Sequence, residues 1–279
     1  MNPTVLVPLA VIAAGLAAAG IGQRRLHPGL VAWVLTAVAA AGAIVTAWVL
    51  ITLSLGTLTA WCRDGALRPS IPAPLSSASI AWSIVAVYRA WLCERRYRRA
   101  TALARSGERI VILDHAQPMA YSLPGRRGRI VVSQGMLDAL APPERKVLFA
   151  HEQSHVDRRH DRLLHVVELA TAVVPPLAFL AHRVRFATER WADEDAVGAV
   201  GDRRLVARTI ARAALVQAGT VTVGLPLTGL GVRARVEDLL HERPAPHLAL
   251  AALAITSVVV VAASGVQLHH LYGLAERIC

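Results

Sequence analysis

Residues 147–161 read Val-Leu-Phe-Ala-His-Glu-Gln-Ser-His-Val-Asp-Arg-Arg-His-Asp. At the centre lies HExxH, from His151 to His155. On a helix, positions i and i+4 share a face, so both histidines can reach one metal ion. Glu152 can then take a proton from a metal-bound water. Five residues also produce this pattern by chance on a polar surface helix. Two features oppose that reading. Val147-Leu148-Phe149-Ala150 supply a buried side, and His155, Asp157, His160 and Asp161 form a polar cluster in a greasy chain.

A third ligand is needed. The extension with glycine and histidine six residues on is absent, because Arg158 and Asp161 stand there. Asp161 is a weak candidate. Residues 189–193 read Glu-Arg-Trp-Ala-Asp, which puts Glu189 and Asp193 on one helix face. Glu189 is the expected third ligand, and Asp193 the expected hydrogen-bond partner of a ligand histidine. The competing reading is a solvated acidic patch continued by Glu194 and Asp195. The apolar residues interleaved there, Trp191, Ala192, Ala196 and Val197, count against it.

Upstream of the motif, 109–113, 119–123 and 129–133 read as short strands, and 136–140 as a short helix. Pro142-Pro143 opens the motif helix where a missing N–H costs nothing, and Glu144 suits its first turn. Residues 129–133 are also a candidate strand for holding an extended substrate by strand addition, against a plain core or edge role.

The rest of the chain is apolar. Of 279 residues, 54% are hydrophobic and only 18% charged, which argues against an ordinary soluble or disordered protein. Four runs are long enough to span a bilayer: about 3–21, 30–61, 75–92 and 247–268. The second is uncharged throughout and longer than a span requires. It reads as one tilted helix, with a bend at Gly42 as the alternative. Arg24-Arg25 and the arginines at 95, 96, 98 and 99 place residues 22–29 and 93–246 in the cytoplasm, with both termini outside. The net charge of +11 is therefore read as membrane orientation and lipid contact, not nucleic-acid binding. Cys62, Cys93 and Cys279 show no metal-ligand spacing and are read as bystanders.

Residues 163–180 and 205–230 are apolar but interrupted by charges. Glu189 must return to the side of His151, so 163–180 cannot cross once. It is expected to dip and return, turning at Pro175-Pro176. Residues 205–230 are expected to be amphipathic and partly buried.

These motifs resemble the integral-membrane zinc metallopeptidases of the BlaR/MecR type and, more distantly, the HtpX and CAAX prenyl protease group. The resemblance covers about 115–200. It rests on 128–133, Leu137, Leu140, Glu144, 151–161 and the 189–193 motif. It implies one Zn2+ held by His151, His155 and Glu189, with Glu152 catalytic and Asp193 orienting. The expected fold class is a mainly α integral membrane protein, with about four transmembrane helices and a cytoplasmic zincin-like α+β metalloprotease domain. Residues 1–93 would hold three membrane helices, 94–246 the peptidase domain, and 247–279 the last helix with a short extracytoplasmic tail. The β-lactam transducers carry a penicillin-binding domain after the last helix. None follows here, so β-lactam sensing is not expected.

The expected function is a zinc endopeptidase of the bacterial inner membrane, multi-pass, with its site on the cytoplasmic side. It would cleave a membrane or membrane-docked protein in regulatory signalling. The resemblance suggests a small winged-helix repressor as substrate. The alternatives are a catalytically silent zinc scaffold and a quality-control protease. Tyr121, His160, His165 and Arg190 are available as oxyanion donors, with none preferred.

Overall fold

A computed structural model describes residues 26–62, 73–104, 107–125, 128–218 and 227–241. The runs at 3–21 and 247–268 lie outside the described residues. The elements are α1 (Pro28–Cys62), α2 (Ala73–Leu103), β1 (Ile110–Leu113), β2 (Ala120–Leu123) and β3 (Arg129–Ser133). They continue as α3 (Gln134–Ala139), α4 (Pro142–Asp157), α5 (His160–Val173), a 3-10 turn (Pro175–Leu177), α6 (Ala178–Val200), α7 (Arg203–Ala218) and α8 (Leu227–Leu240). The chain is thus mainly helical with one small mixed sheet.

The uncharged run becomes one 35-residue helix, α1, without a break at Gly42. Among the described residues it is the one helix long and apolar enough to cross a membrane, against the four expected. The run at 75–92 is helical, but Ser77, Ser79, Ser83 and Arg89 dilute it, and α2 then continues into the arginine cluster.

The sheet order is β1-β3-β2. β3 pairs parallel with β1, Ile110 opposite Ile130, and antiparallel with β2, Tyr121 opposite Val131. β3 is therefore central, with both edges taken. This corrects its expected role as a substrate-holding strand, because its backbone groups are already paired. Its apolar content reflects burial: Ile130, Val132, Met136, Leu140 and Leu148 form the core between sheet, α3 and α4.

α3 starts where the Ser133 hydroxyl accepts the Met136 N–H at 3.1 Å. In the first turn of α4 the Glu144 carboxylate accepts the Ala141 N–H at 2.8 Å and pairs with Arg212 of α7 at 3.1 Å. A left-handed residue, Arg159 with φ 54°, separates α4 from α5 and redirects the chain. α5 and α6 form a hairpin that turns at Pro175-Pro176, as the prolines suggested. The hairpin packs along α1, burying Val31, Leu35 and Ala39 against Val167, Leu180 and Val184. A third core joins Val147, Ala196, Val206 and Leu239, so α4, α6, α7 and α8 meet behind the motif.

Candidate metal centre

α4 carries His151, Glu152 and His155, and α6 lies against it carrying Glu189 and Asp193. His151 Nε2 and His155 Nε2 are 3.2 Å apart. Glu189 Oε2 is 3.5 Å from His151 Nε2, and Glu189 Oε1 is 3.6 Å from His155 Nε2. A tetrahedral ion with bonds of about 2.1 Å needs ligand atoms roughly 3.4 Å apart. The three side chains fit a zinc ion, and their donor atoms all lie within 4.8 Å of one another.

Asp193 is buried, and its Oδ1 sits 3.0 Å from His151 Nδ1. A carboxylate there leaves Nε2 as the metal-facing nitrogen of His151. On the other histidine, His155 Nδ1 is 2.9 Å from His160 Nδ1. With Nε2 of His155 as ligand, Nδ1 carries the proton and donates it to His160. The left-handed turn at Arg159 aims His160 there. Its Nε2 is buried and has no hydrogen-bond partner among the described residues, lying beside the Trp191 ring at 5.0 Å between centroids.

One residue escaped the sequence reading. Arg235 of α8 donates to both Asp193 oxygens, at 2.6 and 2.7 Å, and its Nη1 lies 2.9 Å from Glu189 Oε2. It neutralises one buried and one partly buried carboxylate that would otherwise repel. The signal was faint: an arginine on the helix face that carries Leu239 into the core. A second buried pair, Arg190 with Asp238 at 2.8 Å, docks the same helix on α6.

The electrostatics follow from this arrangement. Burial works against the ionised Glu189 and Asp193, but Arg235 and His151 outweigh it and hold both below the usual carboxylate range. Burial would lower the pKa of His151, yet its hydrogen bonds to the accepting Asp193 and Glu189 carboxylates push it to about 10. Burial first, then neighbouring histidine charge, lowers His160 to about 3, which keeps it a neutral acceptor. Glu152 is buried, and desolvation raises its pKa, outweighing the His151 charge and the Ser122 side chain of β2, which lower it.

The structure brings His151, Glu152, His155, Glu189 and Asp193 together. Asp161 is not part of the group; it accepts a hydrogen bond from Tyr97 at 2.8 Å. His165 lies with Glu94 and Cys93, away from the ligands. Arg190 is committed to Asp238, so neither is placed as an oxyanion donor.

The sequence model of peptidase family M48 matches residues 88–228, half of the 279-residue chain, and this stretch contains His151, His155 and Glu189. The chain belongs to peptidase family M48. This zinc metallopeptidase family includes HtpX, CAAX protease and BlaR/MecR-like peptidase domains, and the match is to the family, not to one of those branches. No curated protein and no solved structure matches the chain. Family membership and the His151, His155 and Glu189 cluster together support a catalytic metallopeptidase domain in this M48 chain.

Proposed function

We propose that this M48 protein is a membrane-bound zinc endopeptidase with a zincin-like domain that cleaves a membrane or membrane-docked protein. The observation that carries the reading is Glu152, buried on α4 between the two histidines of the His151, His155 and Glu189 cluster. Zinc, when bound, polarises the scissile carbonyl and makes water nucleophilic near neutral pH. Glu152 accepts the proton of the attacking water and delivers it to the leaving amine. Asp193 and His160 hold the ligand histidines in one tautomer, and Arg235 fixes Glu189. Burial keeps bulk water from competing for the Glu152 proton.

The substrate strand belongs on the outer edge of β2. Among the described residues β2 pairs only with β3 and no strand takes its other edge, and Ser122 of that strand is among the groups that act on Glu152. Main-chain hydrogen bonds along such an edge align a peptide with little demand on its sequence.

The wider setting is proposed on the charge pattern and the resemblance: a multi-pass inner-membrane protein with the layout 1–93, 94–246 and 247–279, its site cytoplasmic, acting in regulatory signalling. A winged-helix repressor is one candidate substrate.

The test compares protein N-termini in host cells making wild type or Glu152→Gln at matched levels. New termini confined to wild type are expected. Identical profiles, with zinc still bound by the variant, would establish the silent scaffold instead. New termini on misfolded membrane proteins would point to quality control.

A further inference from the structure

The uncharged run from 30 to 61 does not say where the bilayer lies, and the packing does. At 35 residues α1 is about 52 Å long, far more than a hydrocarbon core of roughly 30 Å. Its first half is a core helix. Val31, Leu35, Ala39 and Ala43 are buried with the α5–α6 hairpin. From Ile44 onward the character changes: Ile44 is 69% exposed, and Trp48 and Ile51 are also exposed.

The neighbouring helices change at the same level. Gly29 abuts Trp191 in the middle of α6, so the part of the hairpin before Trp191 runs back along α1 from that point. The Ser54 and Ser79 hydroxyls lie 3.4 Å apart, while Tyr97 at the other end of α2 bonds Asp161, next to His160 and so near the Gly29 end, which makes α2 antiparallel to α1. Counting back from this contact sets Arg89 level with about Ile44. The exposed charges on the hairpin, the Glu168–Arg185 pair and Arg183, lie on the same side of that level as the metal centre. On the far side α2 shows Trp82, Ile84, Val85 and Val87 to the outside. The hairpin tip, 173–181, is uncharged, and Trp82 Nε1 donates to Val173 O at 3.2 Å. Tyr88 and Trp91 stack at the boundary, with Arg95 over the Trp91 ring, an arrangement suited to headgroups.

We infer that the bilayer meets this protein at about Ile44, not at Pro28. The segment 44–62 then crosses, and its nineteen uncharged residues span about 28 Å. The hairpin tip dips into the headgroups. The metal centre, level with Gly29 through Trp191 and His160, stands about 20 Å above the surface, fifteen residues of helix away. Bonds inside the hydrocarbon core are then out of reach. The substrate class narrows to water-exposed segments: linkers beyond a membrane span, or docked soluble proteins. The inference rests on the membrane reading proposed above.

Trp33 separates the two placements, being 56% exposed on the half assigned to water. The test is nitroxide depth measurement on the full chain in vesicles of phosphatidylethanolamine and phosphatidylglycerol. Cys62, Cys93 and Cys279 are first changed to serine. Single labels follow at Trp33→Cys, Ile51→Cys, Val87→Cys and Arg185→Cys. Positions 51 and 87 should be relaxed by oxygen, and 33 and 185 by a water-soluble nickel complex. Oxygen at 33 and 185 would overturn the placement while leaving the membrane reading intact. Nickel at all four would remove the membrane reading itself. A label-free check uses charge: Ile51→Arg should lower membrane-retained protein about tenfold or more, with Trp33→Arg close to wild type. The reverse order would overturn the placement.

Discussion

The ligands are simple to recognise, but their orientation depends on residues that touch no metal. Arg235 contacts Glu189 and Asp193 at once, so it sets the geometry of a ligand and of the carboxylate behind His151. Arg235→Met should weaken zinc binding by about 10- to 100-fold, the usual cost of losing such a support. Competition against a chromophoric chelator measures this directly. Asp195 gives a pH prediction. Burial raises its pKa, but the Arg158 and Ser154 hydrogen bonds win and hold it below the ordinary value of 3.8. A depressed folded pKa means stability that is present above the unfolded value and lost as pH falls through the folded one. Melting temperature of wild type should therefore drop below about pH 4 more steeply than that of Asp195→Asn.

At the scale of elements, close approach matters more than propensity. α3 starts hard against the loop before β2: a Cβ on Gly135 would fall 1.9 Å from the Ala116 carbonyl oxygen. That neighbour is backbone and cannot rotate away. Gly135→Ala should destabilise by about 3 kcal/mol, read from urea unfolding. The loss would reach the site through β2, which runs from that loop to Ser122. By contrast, Gly201 has φ 74° with open space around it. Its role is to end α6 in the left-handed region, where the Gly201 N–H donates to Val197 O at 2.8 Å.

For the whole molecule, the metal-binding cluster is assembled from two helices. His151 and His155 come from α4, Glu189 comes from α6, and α8 is fastened to α6 by two buried ion pairs. Zinc bound only by the folded chain at about a hundred times its Kd adds close to 2.7 kcal/mol. Chelation should lower the melting temperature, and zinc, unlike magnesium, should restore it. Calorimetry with and without chelator checks this, and an unchanged melting temperature would mean that the cluster holds no ion.

Local features could be read from the residues alone. His151, Glu152 and His155 were legible because i and i+4 share a helix face whatever surrounds them. Glu189 and Asp193 were legible for the same reason, and the prolines at 142–143 and 175–176 marked a helix start and a hairpin turn through their missing N–H groups. Features that depend on distant neighbours emerged with the folded chain. Arg235 reaches its carboxylates from a helix more than forty residues on, and no local spacing encodes that ion pair. β-Branched content made 129–133 a strand but said nothing of strand order, and its central place leaves the core role of its two readings. The apolar run of α1 is the same fact seen twice. Burial in a protein core and immersion in lipid both select uncharged residues, and only the hairpin packed on its first half tells them apart.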